Sequence, residues 1–140
     1  MGFFMIGVEE ITYKRRVIAI VFRDTIAVSG VHFFTHEKNP FQIGIHKRPK
    51  GTSLPPHIHK MAHPLVIKTI QEVLFVVSGK IQVSLYAKNG QTIDTKTLSS
   101  GDSILLMGQG HGVDFLEESK IFEIKQGPYP GTTHAKLYLK

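Results

Sequence analysis

The sequence predicts an all-β protein, on three observations. Its apolar runs are short, and several alternate with polar residues at the two-residue period of a strand. Turn residues punctuate them at close intervals, notably Ser78-Gly79, Asn89-Gly90 and the GPYPG run at 127–131. Helical periodicity is confined to HPLVIKTIQEVL at 63–74, which has room for one turn ahead of a strand.

Taken in order, the apolar opening GFFMIGV reads as a strand, and VIAIVF at 17–22 is a β-branched run. FQIGI at 41–45 alternates, placing Gln42, Gly44 and His46 on one face and Phe41, Ile43 and Ile45 on the other. EVLFVV and KIQVSLY are two strands joined at Ser78-Gly79. The next pair meets at Asn89-Gly90, a dipeptide suited to the positive backbone angles of a tight hairpin. Strands follow at about 92–98, 102–107, 111–116 and 119–125; GPYPG then breaks the sheet, and AKLYL returns as a last short strand. With no repeat and no low-complexity linker, the chain reads as one domain over 1–140: N-terminal strands to 40, a core barrel over 41–125 and an extension over 126–140. Two antiparallel sheets wrapped into a jelly-roll barrel are the economical assembly.

Composition narrows the chemistry. The 140 residues suffice for a core without staples, and the absence of cysteine excludes disulfides, thiolate metal sites and cysteine nucleophiles. No stretch approaches membrane-spanning length, and the opening lacks the pattern of a signal peptide, so a soluble cytoplasmic protein is expected. The formal charge of +6 is scattered, concentrating only at Lys14–Arg16 and at His46–Lys50, without the aromatic platform of a single-strand binder. Nucleic acid is therefore not an expected partner. A small anionic ligand is. Serine-nucleophile and phosphate-loop patterns are absent.

Histidines and a carboxylate carry the strongest chemical signal. His57 and His59 flank Ile58 and would share a face in extended chain, while Glu72 opens one predicted strand and His111 another. Three imidazoles and a carboxylate suit Fe, Mn, Ni, Cu or Zn as divalent ions, and four ligands leave octahedral positions open for a substrate. Glu72 would face inward with Leu74 and Val76, and His111 with Val113 and Phe115, so the cavity would be apolar. A carboxylate buried there calls for a cation or a basic partner. His63 is a substitute ligand should Glu72 face away. Gln42, His46 and Lys125 are candidate substrate contacts, with Glu123 positioned to hold Lys125.

These intervals resemble the cupin superfamily. Five residues separate Gly51 from His57 and six separate Glu72 from Gly79, as in its first motif; Gly101, Asp102, the apolar run Ile104–Leu106, Gly108, Gly110 and His111 follow the second. The likeness covers roughly 41–125. The stretch between His59 and Glu72 is longer than the family's short gap, and the second motif lacks its proline, with Met107 near that place. The resemblance implies a jelly-roll barrel, a divalent transition metal held by His57, His59, Glu72 and His111, and a homodimer packed through N-terminal strands. It leaves the activity open among an isomerase or epimerase, a dioxygenase, a non-catalytic small-molecule binder, and a metal-free isomerase using histidine as general base.

Overall fold

A computed structural model describes residues 5–140. The described residues are all-β in class, with antiparallel pairing throughout the strands and one short helix near the end. It divides into two compact units, one made of the described residues up to Ile26 with Thr69–Lys140, the other of Ala27–Lys68.

The larger unit holds two sheets. The first contains β1 (Val8–Tyr13), β2 (Arg16–Phe22), β5 (Glu72–Ser78), β8 (Ser103–Leu106) and β10 (Lys120–Lys125), in the order β1-β2-β8-β5-β10. The second contains β6 (Lys80–Tyr86), β7 (Thr92–Ser99) and β9 (Gly110–Phe115), in the order β7-β6-β9. Alternation decides what they bury. Ala19, Val21, Leu74, Val76, Ile104 and Leu106 from the first sheet pack with Ile81, Val83, Leu85 and Leu98 from the second in one core. Each of the valine, leucine and isoleucine side chains among them contributes about 1.5–3 kcal/mol on burial. The smaller unit contains the hairpin of β3 (Gly30–Phe33) and β4 (Gly44–Lys47), followed by a long stretch without strands.

Turn chemistry sets the hairpins. Gly79, at φ 88°, joins β5 to β6, and a side chain there would collide with the Ser119 side chain and the Glu118 carbonyl. At Asn89-Gly90 only the glycine has a positive φ, 84°; the Asn89 side chain instead accepts the Gln91 amide at 3.1 Å. The β1–β2 turn is built from Lys14 and Arg15 at φ 47° and 64°, so the KRR run is a hairpin turn.

Four expectations are corrected. The strand at 41–45 starts later, at Gly44, because Phe41–Ile43 belong to the loop that the Gln42 side chain ties together. AKLYL forms no strand: Leu137 and Tyr138 are exposed and no sheet edge pairs with them, while a short helix α1 (Thr132–Ala135) occupies its start. No helical turn forms within 63–74. The two sheets of the larger unit share no strand pairing, and β1, β10, β7 and β9 are their edges among the described residues. Part of the GFFMIGV strand lies outside the described residues; of the rest, Met5–Gly7 is not in a strand and Val8 opens β1.

Candidate functional site

Face parity brings two of the candidate ligands together. Glu72 begins β5 on the face of Leu74 and Val76, which are buried in the core. His111 stands opposite Leu85 across β9 and β6, and Val113 opposite Val83, so both face the same interior. His111 Nε2 lies 3.0 Å from Glu72 Oε1, a bridge between the inner faces of the two sheets. The Glu72 side chain is 13% exposed and that of His111 34%, so the pair sits at the rim of the core. Phe115, expected to line the same cavity, is exposed.

Electrostatics favour the ionised form of Glu72. Its pKa lies below the ordinary 4.5, chiefly because His111 donates a hydrogen bond to it; partial burial opposes this, and the charges of His111, Lys125 and Lys136 add to it. Lys125 stands directly opposite Glu72 in the β5–β10 register, and its ammonium group is 2.6 Å from Glu123 Oε1. That hydrogen bond to Glu123 is the main reason the Lys125 pKa is raised.

His57 and His59 belong to the smaller unit. Neither is in a strand, yet their rings are adjacent, with centroids 5.0 Å apart at 74°. His57 Nδ1 donates to the Pro55 carbonyl at 2.8 Å, which leaves Nε2 with its lone pair available to a cation. His59 and His63 border one shallow hollow with Lys60, Met61, Ala62 and Leu65. The candidate ligands are thus divided into two pairs, one in each unit, and among the described residues no group of three or more histidine or acidic side chains is gathered in metal-holding geometry.

The remaining candidates have local partners. Gln42 donates its amide to the carbonyls of His36 at 3.0 Å and Asn39 at 2.9 Å. His46 lies on β4 opposite Val31, edge-on to Phe33 with centroids 6.3 Å apart. Sequence reasoning missed Lys136, a cation on the C-terminal segment that acts on Glu72. Its only signal was a lysine within the AKLYL run.

Asp102 of the Gly-Asp pair has a structural explanation. Its carboxylate accepts the Asp24 amide at 2.9 Å, the Ser99 amide at 3.0 Å and Arg23 at 3.1 Å, tying the β7–β8 turn to the end of β2. Arg23 also bonds Glu9 at 2.9 Å, and Lys96 approaches Glu9 at 3.3 Å. Comparison with family models, with curated proteins and with solved structures returned no match.

Proposed function

We propose that this chain is a metal-binding protein of the cupin type, its sheets those of a jelly-roll barrel, and that it acts as an enzyme on a small anionic or sugar-like substrate. His57, His59, Glu72 and His111 would hold a divalent transition metal, among Fe, Mn, Ni, Cu and Zn. One observation carries the reading: Glu72 Oε1 and His111 Nε2, from different sheets, meet at 3.0 Å. Ligands about 2.0–2.2 Å from one ion and at right angles around it are separated by about that distance. The donor set fits as well, since an ionised carboxylate and imidazole nitrogens suit these ions. When bound, the metal would supply Lewis-acid polarisation of substrate oxygens. The protein's own contribution is an apolar inner face that excludes water, a carboxylate held ionised, and Lys125 beside it to orient an anion.

The same 3.0 Å contact supports a second reading, a metal-free site in which Glu72 fixes the tautomer of His111 and the imidazole serves as general base. Elemental analysis of protein purified without added metal or chelator separates the two. The metal reading expects a transition metal near one equivalent in the parent protein and little in His57→Ala and His111→Ala; equal content in all three overturns it. Nitrogen chemical shifts of His111 give a second readout, because the base reading needs the proton on Nε2 and metal ligation through that atom forbids it. We also propose a homodimer. Exposed Phe75, Phe122 and Ile124, neighbours across β5 and β10, support such an association, and a monomer mass by light scattering would contradict it.

A further inference from the structure

Metal-ligand side chains recur at every second position of one stretch of the smaller unit: His57, His59, Met61 and His63, separated by Ile58, Lys60 and Ala62. The stretch has neither helix nor turn from Thr52 to Ala62, with a bend at His63. In extended chain, alternate side chains share a face. The rings of His57 and His59 meet edge to face with centroids 5.0 Å apart, and His59, Met61 and His63 border the same shallow hollow. Pro55 and Pro56 precede the stretch and Pro64 follows it, which restricts the backbone and lowers the ordering cost of binding.

Met61 is not a packing residue. It is 75% exposed, in a run exposed from Gly51 to Ile70, so no part of the core uses its thioether. A soft sulfur beside imidazoles selects copper(I) over harder ions. Charge points the same way. No aspartate or glutamate stands between Glu37 and Glu72, whereas Lys47, Arg48, Lys50, Lys60 and Lys68 do. Neutral donors in such basic surroundings hold a monovalent ion at less electrostatic cost than a divalent one. Copper(I) also tolerates low coordination numbers, so the adjoining His57 and His59 rings are a preformed start to its site.

We propose that His57, His59, Met61 and His63 form a copper(I) site contained within the smaller unit. It shares His57 and His59 with the four-ligand divalent site but needs neither Glu72 nor His111, so either site can fail without the other. His57 binds through Nε2, since its Nδ1 is held by the Pro55 carbonyl at 2.8 Å. Met61 and His63 close onto the histidine pair, and the thioether is the ligand that discriminates copper(I) from zinc.

Titration of copper(I) into metal-free full-length protein, under argon with ascorbate and in competition with the colour-forming chelator bicinchoninate, tests the site. About one copper(I) per chain is expected, held about tenfold more weakly in Met61→Leu and in His63→Ala, with parent affinity in His36→Ala and in His111→Ala. Zinc titrated into the same proteins is the control for shape, and Met61→Leu should take it as the parent does. X-ray absorption of the copper-loaded parent should show a sulfur neighbour that Met61→Leu lacks. Failure to retain copper(I) against the chelator, parent-like binding in Met61→Leu or His63→Ala, or no sulfur neighbour in the parent would each overturn the proposal. So would a loss in His111→Ala equal to that in Met61→Leu, or a zinc affinity that falls in Met61→Leu. The substituted residues are exposed, so the variants should keep the fold, and circular dichroism checks that they do.

Discussion

Glu72 shows how one side chain serves both fold and site. With its pKa held below 4.5 by His111, the ionised carboxylate stabilises the folded chain above the ordinary value, and that contribution is lost as pH falls through the lower folded-state value. Glu72→Gln keeps the shape and removes the charge. We expect it to lower stability by about 1 kcal/mol near pH 7 and by nothing once the pH falls below the carboxyl's lowered folded-state value. Denaturant unfolding at several pH values checks this; an equal loss at both ends would show that packing, not charge, is involved. Glu9 has the same sign, its pKa lowered first by the hydrogen bond from Arg23, so it too contributes to the acid limb. Asp102 is held by three donors, and Asp102→Ala leaves two backbone amides unpaired near the core and takes from Arg23 one of its partners, Glu9 and the Thr97 carbonyl remaining. A loss of about 2–4 kcal/mol is expected in the same unfolding measurement.

At the scale of elements, the β1–β2 hairpin carries avoidable strain. Lys14 and Arg15 both occupy the left-handed region, at φ 47° and 64°, where a side chain bearing a Cβ is disfavoured. Replacing the pair with Asn-Gly should raise the unfolding free energy by about 1 kcal/mol without moving the midpoint slope. A decrease would mean the turn differs from this geometry. Legibility in the sequence follows the same physics. Strands β5 and β6 are readable because one face of each is buried, which writes the alternation into the residues, and Glu72 shares that face of β5 with Leu74 and Val76. β4 was misplaced because Gln42 bonds nearby carbonyls instead of continuing a ladder. The AKLYL strand failed because strand propensity has no effect without an edge to pair with. The Arg23–Asp102 contact was invisible because its partners are 79 positions apart and carry no periodicity.

For the whole molecule, the proposed metal makes a demand that neither unit meets alone. His57 and His59 lie in a strand-free segment whose side chains are exposed from Gly51 to Ile70, with Lys60 immediately after the pair. An ion shared with Glu72 and His111 would order that segment, and binding to the folded state alone stabilises by about 2.7 kcal/mol at a hundredfold excess over Kd. Adding a saturating divalent transition metal should therefore raise the melting temperature by several degrees and slow tryptic cleavage after Lys60 by about tenfold or more. Both effects should vanish in His57→Ala and in Glu72→Gln. If the metal protected Lys60 equally well in Glu72→Gln, the ion would be held by the histidine segment alone, and Glu72 with His111 would be left as a carboxylate–imidazole pair acting without it.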